Sequence, residues 1–231
     1  MKTNGGNKLL QFEGLRGFAA LIVFFSHIKN TFFPSYSEPL MFYLKTLTNN
    51  KYLAIAFHSF IEILFNGFVA VDIFWIMSAY VLTMGFFKMD TDKLIKQLKN
   101  SISKRYFRLM IPVAGSILFS YAFMKFNLFY NIELIKQNIK YDNVWLSSQF
   151  SYSPDFIQVL RTIFWNTFFN YNAQVSYNSS LWTMSPEFFG SLLCFSSIVI
   201  TRNNNKRYLF YMVIILISIF YQNRWLLAFT L

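Results

Sequence analysis

Arg16 and His27 share one otherwise apolar stretch, Gly14-Leu15-Arg16-Gly17-Phe18-Ala19-Ala20-Leu21-Ile22-Val23-Phe24-Phe25-Ser26-His27. They stand eleven residues apart. At ~100° per residue a helix returns them to within ~20° of one face, about 16 Å apart along its axis. A neutral histidine is the usual general base near physiological pH. An ionisable residue inside a membrane segment is a candidate functional site by default. Each also has a plainer reading: Arg16 as a snorkelling interface residue, His27 as a polar residue at the outer end of the helix.

Four further residues carry charge into apolar surroundings. Asp72 lies about five residues into a second apolar run. A carboxylate there is costly and needs a donor. It either bonds one helix to another or orients the histidine. Arg105 and Arg108 are three apart in Lys104-Arg105-Tyr106-Phe107-Arg108, hence neighbours on one helix face. They could clamp phosphates bidentately, or mark the cytoplasmic side as basic residues do. Glu187 follows Ser180-Leu181-Trp182-Thr183-Met184-Ser185-Pro186. It reads as a second buried carboxylate or as part of an interface anchor beside Trp182.

The elements that must position these residues are membrane helices. Of 231 residues 55% are hydrophobic, 30 are Phe and 14 Tyr, and only 13% are charged. The mean hydropathy is +0.37. A soluble domain carries about 25% charged residues. We therefore expect an all-α polytopic transmembrane bundle of about 5–6 spans. The expected spans are about Phe12–Phe32, Gly67–Phe87, Leu109–Phe126 with Pro112 in its first turn, Leu181–Ile200 and Tyr208–Tyr221, with another beginning near Trp225. Leu53–Phe65, interrupted by His58 and Glu62, is expected to be interfacial. The short apolar part 156–171 is expected to be re-entrant or interfacial.

The net charge of +11 could point to nucleic acid, but its distribution does not. The stretches 1–16, 88–108 and 201–207 hold 13 of the 21 Lys and Arg. They flank apolar spans, which places the N-terminus and both loops in the cytoplasm and against anionic lipid head groups. Partners expected are therefore the lipid bilayer and no nucleic acid. Cys194 is the only cysteine, so neither an intrachain disulfide nor a cysteine metal cluster can form. The first apolar run lacks a small-residue cleavage site and reads as an uncleaved membrane helix.

Four segments, in order, resemble the motifs of the acyltransferase family 3 of integral-membrane O-acyltransferases. The first is Arg16 through His27, an Arg and a His with ten residues between them. The second is Val71-Asp72-Ile73-Phe74-Trp75-Ile76-Met77-Ser78-Ala79-Tyr80, where the family usually has Gly at the position of Ala79. The others are Arg105-Tyr106-Phe107-Arg108 with Pro112, and Leu181-Trp182-Thr183-Met184-Ser185-Pro186-Glu187-Phe188. The resemblance implies transfer of an acyl group, commonly acetyl, from acyl-CoA to a hydroxyl of a carbohydrate or lipid-linked acceptor, with no metal. It implies that His27 is the catalytic base or proton relay. Arg16, Arg105 and Arg108 would serve the anionic donor, and Asp72 and Glu187 would be polar supports. Family members usually carry about ten membrane helices, so the chain is expected to be one domain, 1–231, of a C-terminally truncated member in a plasma or inner membrane. Two other readings are a truncated, inactive descendant and a membrane transporter, since intramembrane charges also mark ion pathways.

Overall fold

The computed structural model describes residues 4–32, 37–86, 89–137, 148–202, 205 and 207–230. Every regular element among them is helical. Contacts gather into two compact units, Met1–Met77 and Ser78–Leu231, which divide inside one continuous helix.

In the first unit α1 spans Asn4–Phe32 and carries both Arg16 and His27 without a break. α2 (Ser37–Thr48) and α3 (Lys51–Leu64) form a hairpin. Its turn is the Asn49-Asn50 pair. Asn49 adopts φ 48°, and the Asn50 side chain accepts from the N–H groups of Tyr52 and Leu53, capping α3. The polar interruptions of α3 tie it to α1: Lys29 pairs with Glu62 at 3.4 Å, and His58 Nε2 lies 3.9 Å from the same carboxylate. α4 (Gly67–Met84) opens against α1. The Gly67 N–H donates to Ser26 Oγ at 3.2 Å, and a Cβ at Gly67 would stand 2.8 Å from that oxygen. Only glycine allows the approach.

The second unit is organised along α5 (Thr91–Lys125). The expected start near Leu109, with Pro112 in the first turn, is corrected here: the helix begins at Thr91 and Pro112 lies in its interior. Residues 91–108 contain neither Gly nor Pro. They bury Leu94 and Leu98 with Phe86, Phe195 and Ile198, so the basic stretch continues the helix as an amphipathic extension. Pro112 has no N–H to offer the Arg108 carbonyl. Beyond α5 come α6 (Asn131–Gln137), α7 (Phe156–Arg161), a π-helical turn (Thr162–Asn166) and α8 (Thr167–Phe169). Two 3₁₀ turns, Ala173–Val175 and Ser179–Thr183, lead into α9 (Met184–Thr201). The last helices are α10 (Arg207–Phe220) and α11 (Arg224–Ala228).

Three described helices are long and apolar enough to cross a membrane: Gly67–Met84, Lys93–Lys125 and Ser179–Thr201. The sequence pattern also marks α1 and α10 among its 5–6 spans. In α1 the apolar stretch is diluted by Glu13, Arg16, His27 and Lys29. α10 has 14 residues, about 21 Å of helix against a hydrocarbon core of ~30 Å. Its outward side chains are nonetheless apolar: Met212, Val213, Leu216 and Ile219 are all more than half exposed. Such a surface suits lipid and is unfavourable in water.

The segment 156–177 goes in and comes back along α5. Its first residue is level with Tyr121, with Phe156 and Tyr121 ring centroids 6.0 Å apart. Its middle is level with Tyr106, whose ring lies 5.1 Å from Phe168. Fifteen residues of α5 separate those levels, about 22 Å. Tyr177 then returns to Tyr121 at 6.3 Å. Its hydroxyl donates to the Asp155 carbonyl at 3.1 Å and sits 3.3 Å from the Asp155 N–H, so both ends of the excursion are held together. Val113, Ile117, Val159, Ile163, Phe168 and Tyr177 form the buried core that fixes it. The segment thus leaves the Tyr121 level of α5 and comes back to it.

Candidate functional site

In the second unit two side chains, from two different helices, converge on the carboxylate of a third. Glu187, in the first turn of α9, accepts hydrogen bonds at Oε1 from Arg105 Nη2 of α5 and from Ser78 Oγ of α4. Arg105 Nη2 also lies 3.3 Å from Ser78 Oγ. Arg105 is 8% exposed. A carboxylate in the first turn of a helix is stabilised by the helix dipole. An arginine so far from water needs such a partner, because a lone buried charge costs several kcal/mol. The Nε–H of Arg105 is buried and has no acceptor among the described residues.

The neighbour of Arg105 fastens the re-entrant segment. The Tyr106 hydroxyl donates to the Phe164 carbonyl at 2.5 Å. That carbonyl belongs to the π-helical turn, whose wider winding loosens the regular ladder. Thr167 Oγ1 donates to the Thr162 carbonyl across the same turn at 2.7 Å. The Tyr106 ring packs edge-on against Phe188, next to Glu187. Phe107 is exposed, and Arg108 and Lys104 are exposed on the same helix. Lys104 and Arg108 are four apart and so share a face.

Of the residues singled out in the sequence, the structure brings Arg105 and Glu187 together. It separates Arg105 from Arg108 by environment, one buried in an ion pair and one exposed. Arg16 and His27 lie on α1 of the first unit, both exposed, and Asp72 is half-buried on the first-unit part of α4. Ser78 of this cluster and Tyr106 beside it carried no role in the sequence reading. Ser78 stood in the second motif as one polar residue in an apolar run, and Tyr106 stood between two arginines. The available signal was their position inside the motifs.

At the far end of α5 lies an aromatic and amide cluster. Phe129 and Phe150 stack at 3.9 Å, and Asn131 Nδ2 donates to the Gln149 carbonyl at 2.8 Å. Burial pushes the Tyr152 phenol well above its ordinary pKa, and its hydroxyl has no partner among the described residues.

A family model, Acyl_transf_3, described as an acyltransferase domain, matches residues 9–230 and runs across both compact units. Comparison with curated proteins and with solved structures gives no match. All four motifs and the Arg105–Glu187–Ser78 cluster fall inside the matched range. The chain belongs to the acyltransferase family 3, a class of all-α membrane transferases.

Proposed function

We propose that this protein is a membrane-bound O-acyltransferase that moves an acyl group, acetyl in the first instance, from acyl-CoA to a hydroxyl of a carbohydrate or lipid-linked acceptor. The observation that carries the reading is the buried Arg105–Glu187–Ser78 cluster, built from three of the family's motif segments and set among apolar helices. In the reaction the acceptor oxygen attacks the thioester carbonyl. A C–O ester bond forms, the C–S bond breaks, and coenzyme A leaves as the thiol. His27 takes the acceptor proton and returns it to the departing sulfur, a role suited to an imidazole. Arg16, on the same face of α1, is assigned to the donor's charge.

The two arginines of the third motif then have different tasks. Arg105 is spent on Glu187 and holds α5 to α9 and α4. Exposed Arg108, with Lys104 on its face, is the group left to meet an anionic donor phosphate. Asp72 is assigned as a polar support of α4.

The test is acyl transfer from labelled acetyl-CoA in membranes holding the full chain. His27→Ala is expected to lower transfer by about 10²–10⁴-fold, the usual weight of general base catalysis, with membrane insertion unchanged. Retention of most of the transfer would remove His27 from the proton path.

A further inference from the structure

Ser26 and Lys29 flank His27 on α1, and each is tied to another helix of the first unit. The Ser26 tie completes a helix N-terminus. The first N–H groups of a helix have no partner within it. At the start of α4 the Asn66 side chain accepts from the N–H groups of Phe68 and Val69, at 3.0 and 3.3 Å. The Gly67 N–H is left over, and the buried Ser26 Oγ accepts it at 3.2 Å. A side chain of α1 thus supplies the acceptor that α4 lacks. Beyond its own chain neighbours, a Cβ at Gly67 would meet only Ser26 among the described residues, at 2.8 and 3.1 Å.

The Lys29 tie reaches the last turn of α3. Glu62 Oε2 meets Lys29 Nζ at 3.4 Å, and Glu62 Oε1 lies 3.9 Å from His58 Nε2. That nitrogen is buried and has no hydrogen-bond partner among the described residues. The carboxylate therefore stands between two basic groups, all three partly withdrawn from water, where screening by salt is weaker than on an open surface. Ser26 and Lys29 are three apart and share one face of α1. At ~100° per residue His27 is turned about 100° from Ser26 and about 160° from Lys29. The tied face is thus turned away from the face that carries Arg16 and His27, and His27 is exposed.

We infer that Ser26 and Glu62 are positioning residues for His27, and that the α2–α3 hairpin is the arm that carries Glu62 to α1. The two ties hold the helix one residue before His27 and two residues after it, from the opposite side. They act through the α1 backbone and leave the imidazole open to the reacting groups. A general base works only within hydrogen-bond reach of the proton it takes, and a misplacement of ~1 Å can cost ~100-fold in rate. The catalytic meaning of the brace rests on the acyltransferase reading; the brace itself does not.

The experiment measures kcat and KM for labelled acetyl-CoA in membranes holding the full chain. Ser26→Ala and Glu62→Gln should each lower kcat on the order of 10-fold or more, with KM near wild type. Gly67→Ala pushes on the same contact and should reproduce Ser26→Ala. In a Ser26→Gly background it should add little, because variants that act on one contact are not additive. A second readout needs no turnover. A nitroxide on a cysteine at position 27, in a Cys194→Ala background, should gain mobility in Ser26→Ala and in Glu62→Gln. An unchanged kcat in both variants, or a loss carried by KM alone, would overturn the positioning role. A nitroxide no more mobile than in the braced chain would overturn the brace, as would a full further loss from Gly67→Ala in the Ser26→Gly background. Gained mobility with no acyl transfer by the wild type would leave the brace standing and count against the enzymatic reading alone.

Discussion

At the scale of single residues, Arg105 is a buried charge held by its partners. Its cation has one carboxylate partner, Glu187, and Ser78 bridges both. Removing one member of a buried pair leaves the other uncompensated, at about 3–5 kcal/mol, whereas replacing both by apolar residues of similar volume is often near neutral. Glu187→Leu and Arg105→Met alone should each lower the detergent-solubilised unfolding temperature sharply. The double variant should recover most of the loss. Additive losses in that cycle would show that the pair is not coupled. Arg108→Ala should behave differently, leaving thermal stability near wild type while weakening acetyl-CoA binding. A Kd unchanged in Arg108→Ala, and unchanged again with Lys104→Ala added, would remove this face from donor recognition.

At the scale of elements, the close approaches are set by glycines and by one proline. α9 meets the C-terminal residues at Gly190, where a Cβ would stand 2.2 Å from the Phe229 ring. The contact extends to its γ carbon at 2.5 Å, so the ring cannot simply swing aside. Cys194 Sγ lies 3.6 Å from the Phe229 carbonyl on the same face. Gly190→Ala should therefore cost about 1–3 kcal/mol, the usual range for overpacking. Adding Phe229→Ala should relieve the clash, though it removes packing of its own. A Gly190→Ala protein as stable as wild type would mean that α11 can move away freely. The long α5 tolerates Pro112 because the residues around it are held by tertiary contacts: Arg105 and Tyr106 below, and Val113 and Ile117 above.

At the scale of the whole chain, the basic stretches are the basis for a proposed orientation. Lys93, Lys96, Lys99 and Lys104 lie on the N-terminal half of α5, and Arg202 and Arg207 flank the connection from α9 to α10. Because the 156–177 segment returns to its own starting level along α5, we propose that the stretches 88–108 and 201–207 share one side of the membrane. By Lys and Arg density on short loops, that side is proposed to be the cytoplasm. A cysteine at position 96 should resist an impermeant reagent applied to intact cells and react once the membrane is opened. Labelling from outside would invert the topology.

Much of the architecture was legible in local pattern. Apolar runs bounded by basic clusters locate α4, α9 and α10 to within a few residues. The short aromatic run at 156–171 is set apart from the longer apolar runs by its length. These follow from hydropathy and side-chain charge, which act over a few residues. The same local reasoning misjudged Pro112, because the continuation of α5 depends on Leu94 and Leu98 finding Phe195 and Ile198 a hundred residues away. It grouped Arg105 with Arg108 by spacing. Only the tertiary structure pairs Arg105 with Glu187 across 82 residues, and Ser78 with Glu187 across 109. Helix spacing states which residues share a face, but the partner opposite that face is chosen by the packing of distant segments. For a charge in an apolar interior, that partner decides what it can do.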